Sequence, residues 1–190
     1  MPKKQDNIFV TVGTGKFESL IKEIDEIAPK LKEKIVAQIG YGNYKPKNCT
    51  WFSFAPNLKK YYQKATFIIS HGGPGTVFEI LDMRKKFIAC ANTDRTDPKH
   101  QVDFLEAISK ETKGLIYCKD ISTLHSHIQK AKKQKFEQYK RPQCDMYKEV
   151  CDFIERPTVS LKKIYLLKKF IISYFNLAKV IYRSGSENKE

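Results

Sequence analysis

No run of apolar residues in this 190-residue chain approaches the ~18 needed to cross a bilayer. The five cysteines (Cys49, Cys90, Cys118, Cys144 and Cys151) contain no Cys-x-x-Cys pair and are odd in number. That argues against a disulfide framework and against a cysteine-rich zinc site, and suits a reducing cytosol. Cys90 and Cys118 fall in apolar runs, where a free thiol packs as a small hydrophobe. The four histidines are scattered, and no Asp-x-Asp pair is present, so no metal site is expected. The polar opening Met1–Asn7 leads straight into an apolar run and reads as no secretory signal.

Several nucleotide motifs are also missing. Gly15-Lys16 would end a Walker A loop, but Val10 stands where its first glycine belongs and Phe17 where Ser or Thr belongs. Gly13-Thr14-Gly15 opens a dinucleotide fingerprint, but Glu18 replaces its third glycine. No Gly-x-Ser-x-Gly occurs. An ATPase P-loop, a dehydrogenase and a serine hydrolase are all disfavoured.

Acid is scarce. Lys and Arg number 35 against 21 Asp and Glu, for a net charge of +14. From Arg156 to Arg183 there are seven basic residues and no acid, and a second basic cluster runs from Lys130 to Arg141. Within this tail Ile164, Leu167, Ile171, Tyr174, Phe175, Ala178 and Tyr182 share one helical face. A basic amphipathic helix of this kind suits an anionic membrane surface, with a partner subunit or the protein's own core as the competing occupants. Nucleic acid is disfavoured, because the charge comes without a recognisable motif or stacking platform.

What is present is an alternation. Apolar runs at 8–12, 35–39, 50–54, 67–70, 87–91 and 115–118 read as strands, and helical spacing follows most of them, as with Phe17, Leu20, Ile21, Ile24 and Ile27. This predicts an α/β fold, a Rossmann-like parallel sheet with helices on both faces. Residues 1–155 would form that domain and 156–190 a basic helical tail. Ligands of such sheets bind at the carboxyl ends of the strands, where Gly13, Gly72 and Asn92 fall.

Ser70-His71-Gly72-Gly73-Pro74-Gly75-Thr76-Val77-Phe78-Glu79 is the most informative stretch. A strand meets a helix through a turn with three glycines, so backbone can approach a ligand and the helix N-terminus can receive phosphate. Glu79, about one turn in, is placed to accept from ribose hydroxyls. The pattern points to a nucleoside diphosphate, most simply a nucleotide-sugar.

Phe9-Val10-Thr11-Val12-Gly13-Thr14, the His71–Glu79 stretch and His100-Gln101, in that order, resemble the donor-binding, C-terminal half of GT-B glycosyltransferases. The likeness is to single-domain members of family 28. These include the small subunits of bacterial capsule and exopolysaccharide glycosyltransferases, which it resembles more. They also include the catalytic subunit of the two-part N-acetylglucosaminyltransferase of lipid-linked N-glycan assembly. The resemblance implies that Gly13, Thr14, His71, Gly72, Gly73, Gly75 and Thr76 surround the donor diphosphate. It implies further that Glu79 binds the ribose, that His100 and Gln101 face the donor sugar, and that Phe54-Ala55 meets the uracil edge. His71 is a weaker candidate for catalytic base.

The implied activity is sugar transfer from a UDP-sugar to a lipid-linked acceptor, with inversion and no cofactor beyond the donor. A membrane-bound partner subunit would supply the acceptor half. The protein would sit in the cytoplasm, peripherally attached to the cytoplasmic face of a membrane. The alternative is a non-catalytic scaffold that stabilises such a partner.

Overall fold

A computed structural model describes residues 6–94, 96, 99–141, 146–155 and 166. The basic tail expected at 156–190 lies outside these residues, Leu166 excepted. The chain divides into two compact units, 1–140 and 141–190.

The first unit is built on a six-stranded, wholly parallel sheet: β1 (Asn7–Thr11), β2 (Lys34–Gln38), β3 (Thr50–Phe52), β4 (Phe67–His71), β5 (Lys86–Cys90) and β6 (Ile116–Cys118). Five helices accompany it: α1 (Glu18–Ile27), α2 (Lys59–Lys64), α3 (Pro74–Asp82), α4 (Lys99–Glu111) and α5 (Leu124–Lys133). The expected α/β class is therefore the observed one.

Strand alternation explains the two-sided core. Ile8 and Val10 of β1, Ile69 of β4, and Ile88 and Cys90 of β5 face α1 and α5. Their neighbours Phe9, Ile68, Phe87 and Ala89 face α2, α3 and α4. A sheet covered on both faces needs near-continuous apolar strands, which these are. Cys90 and Cys118 are fully buried in register on β5 and β6, as the apolar runs predicted.

The strand order is β3-β2-β1-β4-β5-β6. The chain winds outward from β1 to β3, then returns to the other side of β1 and winds outward again to β6. The direction of winding reverses between β1 and β4, so the loops leaving those two strands part and open a crevice at their carboxyl ends.

The connection from β2 to β3 is pinned by one carboxylate. Asp25 of α1, 3% exposed, accepts from the Tyr44 hydroxyl at 2.7 Å, from the Asn48 amide at 2.6 Å and from the Lys47 amide at 2.9 Å. Burial alone would raise the Asp25 pKa, but the Lys47 and Asn48 amides and the Tyr44 hydroxyl outweigh it and hold the carboxyl below its ordinary value.

The described part of the second unit contains α6 (Met146–Glu155). Met146, Tyr147, Val150, Phe153 and Ile154 repeat at helical intervals and are all exposed. The strand-and-helix alternation did not anticipate this helix. Its signal is the same apolar spacing.

Candidate functional site

The crevice between β1 and β4 is framed by two glycine turns. Gly13, after β1, has φ +69°, the left-handed region that favours glycine. A Cβ there would lie 2.5 Å from Cε1 of His71, and one on Gly73 would likewise strike the His71 ring at Nε2. The imidazole at the end of β4 is thus wedged between the two turns and forms the wall of the crevice.

The glycines sort by what excludes a side chain. Gly72 is buried, and a Cβ there would sit 2.6 Å from Leu105 Cδ1 of α4, so its bareness serves helix–strand packing. Gly75 and Gly15 differ, because a Cβ on either would meet nothing within 4 Å. The protein's own packing does not demand glycine there. The open space in front of Gly75 is space that a ligand can enter.

The two glycine turns lead into the N-termini of α1 and α3. That of α1 is taken: Asp94, in the loop after β5, accepts from the Ser19 amide at 2.9 Å and from the Ser19 hydroxyl at 2.6 Å. Residue Phe17, just before α1, supplies no side-chain cap. That missing Ser, Thr, Asp or Asn is the one sequence signal that a cap must come from elsewhere. The N-terminus of α3 is open. Gly73 precedes it without a side-chain cap, Pro74 occupies the first turn, and no acid lies there. Its free amides at Gly75 and Thr76, with the positive end of the helix dipole, face the crevice side of the turn.

Glu79 is exposed on α3. Burial raises the pKa of the Tyr62 phenol, and the nearby Glu79 carboxylate adds to that shift. Glu79 thus lies within electrostatic reach of Tyr62, which packs beside Phe9 of β1. The acid stands in the second turn of α3, after the glycine turn.

Gln38 and Thr11 complete the floor, a role that the sequence alone assigns to neither. The Thr11 hydroxyl donates to Oε1 of Gln38 at 2.6 Å, and the Gly13 amide donates to the Thr11 oxygen at 3.3 Å. Nε2 of Gln38 donates to the carbonyls of Gly13 at 2.7 Å and Ser53 at 2.9 Å. Next along the same edge stand Tyr41 and Phe54, 72% and 47% exposed, with ring centroids 4.6 Å apart in an edge-on pair. The Tyr41 amide donates to the Gly15 carbonyl at 3.0 Å, which ties this pair to the glycine turn. Exposed rings at such a place offer a stacking surface for a planar base.

On the other side of the crevice, His100 is exposed in the first turn of α4, free to meet a ligand. Gln101 is only 1% exposed, and its Oε1 accepts from the Asn92 amide at 3.0 Å. Its carboxamide oxygen holds the loop after β5. Asn92 in turn donates from Nδ2 to the Lys16 carbonyl at 2.7 Å, joining that loop to the β1–α1 turn. Thr14 is exposed beside Gly13. Of the expected site residues, Gly13, Thr14, His71, Gly73, Gly75, Thr76 and Glu79 surround one crevice, His100 stands at its α4 side, and Gly72 and Gln101 lie behind it as packing and support.

No group of three or more His, Cys, Asp or Glu among the described residues is placed to hold a metal ion. A cavity of about 520 Å³ opens at the opposite edge, against Asn7, Lys34 and Thr50 at the starts of β1, β2 and β3, and contains none of the expected site residues. Among the described residues no helix is long and apolar enough to cross a membrane.

Parts of this sequence and its fold are shared with known proteins. UDP-N-acetylglucosamine transferase subunit ALG13 of Homo sapiens is 32% identical over a stretch covering 58% of this chain and 11% of that protein. The Mus musculus protein of the same name is 30% identical over 58% of this chain and 10% of its own length. This chain therefore spans about a tenth of those relatives. Among solved structures, Acinetobacter baumannii MurG superimposes with a TM-score of 0.53 at 18% identity, covering 70% of this chain and 43% of MurG. The solution structure of ALG13 gives a TM-score of 0.50 at 13% identity, covering 77% of this chain and 94% of that one. Both structural likenesses concern the fold. The sequence profile of the glycosyltransferase family 28 C-terminal domain matches residues 7–156, nearly the whole described chain, and the protein belongs to that family.

Proposed function

We propose that the β1/β4 crevice binds the diphosphate of a UDP-sugar and that the chain is the donor-binding subunit of a glycosyltransferase. The observation that carries this reading is the uncapped N-terminus of α3, opposite the Gly13 turn and beside Glu79. Diphosphate oxygens would accept from the Gly75 and Thr76 amides, Glu79 would accept from ribose hydroxyls, and the base would lie toward Phe54. The names of the human and mouse relatives favour N-acetylglucosamine as the sugar.

In the reaction, an acceptor hydroxyl attacks the anomeric carbon as the bond from that carbon to the β-phosphate oxygen breaks. The hydroxyl proton passes to a base, and UDP departs with the bonding pair. The negative charge developing on the phosphate is met by amides and a helix dipole already in place, which is how a fixed site lowers such a barrier. Inversion follows from a single displacement. The acceptor, a lipid-linked sugar, and the base are assigned to a membrane-bound partner subunit, a reading supported by the word subunit in the names of the human and mouse relatives.

Titration of the chain with UDP, UDP-N-acetylglucosamine and ATP tests the donor site. The uridine ligands are expected to bind in preference to ATP. Glu79→Ala should weaken UDP about tenfold or more, the loss of a hydrogen bond to a charged group. Equal weak binding of all three ligands, unmoved by the substitution, would instead favour a scaffold that only stabilises a partner.

The basic segment 156–190 is the part proposed to attach the enzyme to the cytoplasmic face of a membrane. Deleting residues 157–190 should abolish sedimentation with anionic liposomes at low salt, since several lysines near such a surface each contribute ~1 kcal/mol. Unchanged sedimentation of the shortened chain would remove the membrane role.

A further inference from the structure

One buried side chain reaches both ends of the proposed nucleotide site. Gln38, at the carboxyl end of β2, is 2% exposed and takes no part in the periphery of the crevice. Its amide nitrogen spends both hydrogens on backbone carbonyls of two different connections. Gly13, at 2.7 Å, belongs to the turn that frames the diphosphate crevice. Ser53, at 2.9 Å, immediately precedes the exposed ring of Phe54. The amide oxygen is fixed by the Thr11 hydroxyl at 2.6 Å, which orients the group so that both hydrogens point at those carbonyls. A buried carboxamide with all these bonds made is rigid, because breaking any of them leaves a polar group without water.

We propose that Gln38 is a positioning residue that sets the separation between the diphosphate crevice and the base-binding edge at Phe54, so that both parts of a nucleoside diphosphate are gripped as one ligand. This rests on the donor reading above. The physical reason is the advantage of linkage: two weak subsites add fully only when their spacing matches the ligand. Loosening the spacing costs the linked ligand while leaving each fragment's own contacts in place. Val12 strengthens the connection, since its amide donates to the Gln38 carbonyl at 3.3 Å, and Ile39 donates to Phe52 at 2.9 Å, holding the three strand ends edge to edge. Without the side chain, the Gly13 turn and the Ser53 carbonyl would lose the one group that bonds both.

The test compares UDP with its fragments, uridine and inorganic pyrophosphate, by NMR titration of the full 190-residue chain. Gln38→Met keeps the length of the side chain but donates to neither carbonyl. UDP should weaken about tenfold, with uridine and pyrophosphate each within about twofold of the unmodified protein. Thr11→Val removes the hydroxyl that orients the carboxamide at 2.6 Å and, with it, the longer 3.3 Å bond from the Gly13 amide; it should weaken UDP by a smaller factor, about threefold, with uridine unchanged and pyrophosphate within about twofold. If Gln38→Met fails to fold, Thr11→Val decides the matter. Unaltered UDP binding in the folded variants, or a parallel loss for all three ligands, would overturn the coupling role. Failure of the unmodified chain to bind UDP is a separate result, and it would bring down the donor reading and this inference together.

Discussion

Gly13→Ala is expected to weaken UDP binding strongly and to lower the melting temperature at the same time. Alanine at φ +69° carries a left-handed penalty of roughly 1–2 kcal/mol. Its Cβ would also lie 2.5 Å from Cε1 of His71, so the imidazole wall of the crevice must move. Together these should cost on the order of 3 kcal/mol, which for a domain of this size is a fall of roughly 6–12 °C. The displaced ring would intrude where the diphosphate is proposed to sit, and UDP affinity should drop about a hundredfold.

Gly73→Ala separates the two effects. Its φ is −69°, which alanine adopts freely, yet its Cβ would meet the same His71 ring. A much smaller change in melting temperature with a comparable loss of UDP binding is the expected result. If Gly73→Ala bound UDP normally, the wall of the crevice would not be part of the ligand site.

Asp25→Ala should damage stability about as much as Gly13→Ala. It would strip the Tyr44 hydroxyl and the Lys47 and Asn48 amides of their shared acceptor and release the β2–β3 connection. A loss of about 3 kcal/mol at pH 7 is expected, read as a shifted urea midpoint. The sign of the pH dependence follows from a folded-state pKa held below that of the unfolded chain. Ionised Asp25 stabilises the fold at all pH values above its unfolded pKa, and the contribution fades as pH falls from about 4 through the lower folded value. Asp25→Asn should therefore be less stable than the unmodified protein at pH 7 and show a shallower decline below pH 4. A variant whose decline with pH matched the unmodified protein would remove Asp25 as the source.

Much of the proposed donor site can be read along the chain because its parts are local. The strand, the glycine turn and the helix from Phe67 to Asp82 are contiguous, so β4, α3, the uncapped N-terminus and the position of Glu79 follow from apolar periodicity and turn chemistry. The supporting residues are not local. Gln38 meets Gly13 across 25 positions, and Asp94 caps α1 from 75 positions away. A glutamine ending an apolar strand and an aspartate in a polar loop look unremarkable until folding brings them to the same edge. Gln101 is the converse case. Its place at the start of α4 suggests a ligand contact, yet packing turns it inward to serve the Asn92 amide.

The order of residues by itself determined the α/β class, the two apolar faces of each strand and the glycine turns, because strand and helix periodicities and the demand for bare backbone are properties of neighbouring residues. Only the tertiary structure decided where winding reverses, which helix N-terminus stays open and which carboxamide braces the floor. Those depend on strand order and on hydrogen bonds between segments far apart in the chain, where the cost of leaving a buried polar group unpaired selects partners that no local pattern encodes.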